Sequence, residues 1–128
     1  MIVLKENESG RVEISDDVIA IIANNSALEI DGVASIENGF ANGIAEMLGK
    51  KGISKGVKID VDRENSKIRL MISLSVKFGY KIPEVMFKVQ EKIKSSIETM
   101  TGLCVTQINI NVLNIIFETV NKNKSKNK

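Results

Sequence analysis

The chain has 128 residues, enough for one domain with one real core, and its 43% hydrophobic and 27% charged residues are ordinary for a soluble globule. It contains no histidine and a single cysteine, which removes imidazole-based nucleophile pairs, histidine metal sites and an internal disulfide. Net charge is +2, but four of the 18 basic groups sit in the last eight residues, so the remaining body is mildly acidic and argues against a nucleic-acid-binding globular surface.

Residues 1–9 read as an N-terminal arm, too polar and too short in its apolar run for a signal peptide. Arg11-Val12-Glu13-Ile14 alternates as a short strand. Ser15 is placed to cap a helix whose first turn carries Asp16 and Asp17, favoured there by the helix dipole. Val18, Ile19, Ile21, Ile22, Ala23, Ala27 and Leu28 make that helix apolar over most of its circumference, which predicts that it is covered. Asn24-Asn25-Ser26 is a weak patch where it could bend. Asp31-Gly32 ends it, and Val33 to Ile36 reads as a short strand. No apolar block is long enough to cross a bilayer.

Between Glu37 and Gly56 five glycines occur in twenty residues. Phe40, Ile44, Met47 and Leu48 keep helical spacing inside this stretch and predict a short glycine-flanked helix over 41–48. One reading folds that helix onto the sheet. The sharper reading makes Phe40, Ile44, Met47 and Leu48, with Lys50 and Lys51, an adhesive face for another copy or a partner.

Lys55 to Asp62 and Lys67 to Phe78 alternate apolar and polar residues around the turn Arg63-Glu64-Asn65-Ser66, which predicts a hairpin with helices on one face only. Over 82–101, Ile82, Val85, Met86, Val89, Ile93, Ile97 and Met100 form one apolar helical stripe, begun by Pro83 and stopped by Gly102. In the final strand Leu103 and Val105 have the opposite parity to Ile108, Ile110 and Val112, which predicts a bulge near Thr106, and Leu113 to Phe117 shifts parity again. The predicted class is α+β: a two-layer sandwich with a sheet of about four strands, two main helices on one face and the short helix, in the order β-α-β-(α)-β-β-α-β. The domain spans 10–118, with a disordered Lys/Asn-rich tail over 119–128.

No constellation carries chemistry. Gly43 to Lys51 fails as a phosphate loop, because five residues separate Gly43 from Gly49 and Lys51 stands where Ser or Thr would hold magnesium. Asp60, Asp62 and Glu64 lack the glycine and bidentate glutamate of a calcium loop. Asp16-Asp17 is explained by its helix terminus, and Cys104 reads as a small inert buried residue. The tail lysines could touch an anionic surface, although a solubilising tail is the plainer reading.

Taken together, Gly10-Arg11-Val12-Glu13-Ile14-Ser15, Glu29-Ile30-Asp31-Gly32-Val33, Ser54-Lys55-Gly56-Val57, Phe78-Gly79-Tyr80-Lys81-Ile82-Pro83-Glu84-Val85, Met100-Thr101-Gly102-Leu103 and Val105 to Val112 form an ordered set. That set resembles the alkaline-shock, or general envelope-stress, proteins of Gram-positive bacteria over residues 10–117. The resemblance implies a cytoplasmic, non-enzymatic protein without cofactors, linked to envelope stress or homeostasis. It also implies action as a homo-oligomer or by docking to a membrane-anchor or envelope-linked protein at the inner face of the membrane. RNA binding by the sheet or tail is the rival reading; aromatic stacking residues are scarce for it.

Overall fold

The computed structural model describes residues 1–36 and 56–117; the predicted 41–48 helix and the 119–128 tail lie outside the described residues. The described residues form six strands and two helices. In chain order these are β1 (Ile2–Asn7), β2 (Gly10–Ile14), α1 (Asp16–Leu28), β3 (Val33–Ile36), β4 (Val57–Asp62), β5 (Lys67–Lys77), α2 (Ile82–Thr101) and β6 (Cys104–Ile116).

Strand β5 is the centre. Its unbroken alternation buries Ile68, Leu70, Ile72, Leu74 and Val76 on one face, as the sequence pattern predicts. One edge of β5 is shared end to end: β4 pairs antiparallel along Lys67 to Ile72, and β3 pairs antiparallel with Leu74 to Val76. The other edge carries β6, parallel from Lys67↔Cys104 to Lys77↔Ile116 with two register shifts along the way. The sheet is therefore mixed, and α2 is the crossover that a parallel β5–β6 pair requires.

Both helices bury residues in the cluster that holds the inward face of β5. Helix α1 contributes Ile19, Ala20, Ile22, Ala23 and Ala27, and α2 contributes Val85, Val89, Ile93 and Ile97. Both ends of α2 and the start of α1 are built as the sequence indicates, whereas α1 stops at Leu28, capped at Glu29, before Asp31-Gly32. Ser15 Oγ accepts from Asp17 N–H at 3.0 Å, Pro83 lies in the first turn of α2, and Gly102 closes that helix in the left-handed region at φ 80°.

Several expectations are corrected. Residues 2–7 are a strand that pairs antiparallel with β2, and Ile2 belongs to the core. Helix α1 runs unbroken through Asn24-Asn25-Ser26, because the small Ser26 and Ala27 are buried there and the helix packs closely. It is also covered on one side only, leaving Val18, Ile21 and Leu28 exposed among the described residues. Met100, in the last turn of α2, is 69% exposed, since the stripe has rotated off the sheet by then.

Candidate functional site

The six residues singled out from sequence as adhesive, Phe40, Ile44, Met47, Leu48, Lys50 and Lys51, lie outside the described residues. Among the described residues no group of three His, Cys, Asp or Glu side chains converges as a metal site would need. Two carboxylates of the β4–β5 hairpin, Asp60 and Asp62, have local structural partners. Asp60 pairs with Arg69 across the strands. Asp62 accepts from Asn65 Nδ2 at 2.9 Å inside the turn, and that bond holds its carboxyl below the usual carboxylate range. Arg69 being paired, the open face of β4, β5 and β6 offers a shallow surface of mixed character that includes Lys58, Met71, Gln107 and Asn109, with no aromatic side chain among the described residues that line it.

Cys104 is exposed, contrary to the buried position expected for it. The bulge explains the reversal. Leu103 and Val105 both turn into the core, so the residue between them must point away. The register confirms this bulge, with Thr106 as the extra residue between Val105 and Gln107, and a second one at Leu113 between Val112 and Asn114.

These bulges shape the outer edge of β6. In a parallel pair, alternate residues turn both backbone groups toward the neighbouring strand. The register gives Gln107, Asn109, Asn111, Asn114 and Ile116 to β5, and Ile116 C=O accepts Phe78 N–H at 2.9 Å. Val105, Ile108, Ile110, Val112 and Ile115 then face outward. Helix α2 covers the first part of this edge with three side chains spaced four residues apart. Glu98 Oε2 accepts Val105 N–H at 2.8 Å, Lys94 Nζ donates to Val105 C=O at 3.1 Å, and Gln90 Nε2 donates to Ile108 C=O at 2.8 Å. At the far end Asn114 Oδ1 accepts Ile115 N–H at 3.1 Å. Between these, Ile110 and Val112 face outward with no backbone partner among the described residues.

The bond from Val105 and then the Lys94 ammonium hold the Glu98 carboxyl below its ordinary 4.5. A depressed folded pKa stabilises the fold above the unfolded value, and that contribution is lost as pH falls through the folded value. Glu98→Gln is therefore expected to lower the urea midpoint at neutral pH, with the deficit shrinking as pH falls below the ordinary glutamate range. Urea titrations of both proteins across that range check this.

Beyond the edge, the end of β5 and the end of β6 present an apolar surface. Phe78 and Phe117 stack with ring centroids 4.6 Å apart, yet remain 62% and 55% exposed. Leu113 and Ile115 are also exposed, at 53% and 41%. Sequence alternation alone assigns Phe78 to the core face of β5. The structure ends the strand at Lys77, and Gly79 at φ 102° turns the chain away. The second parity change after Val112 is the sequence trace of the bulge at Leu113, which sets Ile115 opposite Val76 while Leu113 and Ile115 both stay exposed.

No helix among the described residues is long and apolar enough to cross a membrane. A family model described as having a cell envelope-related function, that of the alkaline-shock proteins, matches residues 4–117. The chain is 39% identical over 115 residues to the uncharacterized protein YqhY of Bacillus subtilis, covering 90% of this chain and 84% of that protein. It is 34% identical over 105 residues to the uncharacterized YloU of the same organism, covering 80% and 86%. To the uncharacterized Spy1614 of Streptococcus pyogenes serotype M6 it is 32% identical over 117 residues, covering 90% and 95%. No solved structure matches it significantly.

Proposed function

The chain belongs to the alkaline-shock protein family, with its cell envelope-related function, and from that premise we propose that it works as a non-catalytic interaction module. It acts by self-association or by docking to a membrane-linked protein at the cytoplasmic side of the envelope. The observation that supports this reading best is the exposed apolar end, where Phe78 and Phe117 stack on each other while more than half of each remains open to solvent. Aromatic side chains preassembled at a surface lose little further freedom on binding, and they supply large contact areas to a partner. The sequence adds that there is no histidine anywhere.

A photo-crosslinking residue at position 117, compared with one at the exposed Glu13 of the β1–β2 hairpin, tests the reading in cells. Adducts from position 117 to a second copy or to a membrane-fraction protein are the expected result. Adducts no more frequent than from position 13 would overturn it.

A further inference from the structure

Extending the adhesive reading above, on which this inference rests, we propose that the Ile108–Val112 segment of β6 is a strand-addition site for the same segment of a second copy, antiparallel about a two-fold axis through Ile110. The surrounding edge is closed on both sides: Gln90, Lys94 and Glu98 cover it up to Ile108 C=O, and Asn114 takes Ile115 N–H. Among the described residues, what stays open is the N–H of Ile108 and both backbone groups of Ile110 and Val112. That pattern is self-complementary. Ile110 exchanges two bonds with its counterpart, and Ile108 N–H meets Val112 C=O twice, giving about four backbone hydrogen bonds.

The side chains fit the same axis. On the outward face Asn109 falls opposite Asn111, and both are exposed. On the inward face Ile108 falls opposite Val112 and Ile110 opposite its counterpart, so the edges of Ile110 and Val112 left partly open in one copy are covered by the other. An exposed edge strand is ordinarily guarded by charge or proline. This thirteen-residue strand, Cys-Val-Thr-Gln-Ile-Asn-Ile-Asn-Val-Leu-Asn-Ile-Ile, has neither, so a like strand meets no repulsion. A second copy is favoured over an unrelated strand because the open segment is bounded symmetrically about one residue and pairs like with like on both faces.

The test uses the full chain with Cys104→Ser, carrying either Asn109→Cys or Asn111→Cys. Opposed non-hydrogen-bonded residues in antiparallel strands lie about 4.5 Å apart at Cα, within disulfide reach. Mixing the two proteins under mild oxidation is expected to give a 109–111 disulfide dimer at least about tenfold faster than either protein alone. Asn109→Lys with Asn111→Lys in one chain sets lysine against lysine, and sedimentation is expected to show dimerisation weakened by about tenfold or more. Equal cross-linking in all samples, or a lysine variant that dimerises like the parent, would overturn the proposal. If the parent self-associates with neither effect, the adhesive reading stands and this edge is not the contact. If the parent is monomeric yet position 117 captures a membrane-fraction protein, docking stands and the paired edge falls.

Discussion

Ile93→Ala is expected to lower the free energy of unfolding by about 2–5 kcal/mol, while Met100→Ala two turns further along the same helix changes it by about 0.5 kcal/mol or less. The sequence places both residues on one apolar stripe of α2. Ile93 is fully buried in the cluster shared with Ile19 and Leu70, whereas Met100 is 69% exposed. Truncating Ile93 removes buried methyl groups and leaves a cavity that packed neighbours fill only in part. Truncating Met100 removes contacts made mostly with water. Urea denaturation of the three proteins, with unchanged slopes, checks both halves. Similar losses at the two positions would mean that the end of α2 is covered in solution, by another part of the chain or by another molecule.

Gly32→Val is expected to cost about 1–3 kcal/mol through backbone strain, with about 1–3 kcal/mol more through crowding. Gly32 adopts φ 104°, and a Cβ there would lie 2.9 Å from Val85 Cγ2 and 3.0 Å from Tyr80 Cδ2. Its carbonyl also accepts Lys77 N–H at 2.8 Å, so the backbone cannot swing away without loosening the junction of β3 with β5. Gly102 is the control. It too has positive φ, at 80°, but nothing lies within 4 Å of its added Cβ, so Gly102→Ala is expected to cost only about 1 kcal/mol. Thermal melts of the two variants separate crowding from strain, and equal losses would show that the close approach of Gly32 to α2 carries no weight.

Much of the scaffold was legible because its signals are local. Period-two alternation in Lys67 to Lys77, the Ser15 cap, Pro83 and Gly102 each act within a few residues, and each stands in the structure where the pattern put it. Even the Thr106 bulge could be read, since a parity change has no other cheap explanation in a strand. Strand β1 was missed because Lys5, Glu6 and Asn7 hide the short apolar run before them. The signal was the Asn7-to-Gly10 turn, where Asn7 Oδ1 accepts Ser9 N–H at 2.8 Å and lets Ile2 reach the core.

What sequence could not show was tertiary placement. An apolar residue on a helix or strand is buried only if something lies above it, so Val18, Ile21, Phe78 and Met100 read as core and stand exposed. The edge of β6 was hidden for a related reason. Which backbone groups face outward depends on the parallel register with β5, and which are covered depends on α2 side chains met across the fold. The surface proposed from Phe40 to Lys51 belongs to residues outside those described.

Residue-resolved amide exchange over a protein-concentration series probes the Ile108–Val112 edge most directly. In dilute protein the Asn109 and Asn111 N–H groups, bonded to β5, are expected to exchange slowly, and those of Ile108 and Ile110 rapidly. As concentration rises, protection of Ile108 and Ile110 should grow in step with the dimer fraction. Fast exchange at those two amides at every concentration, in a sample that does associate, would contradict strand pairing there.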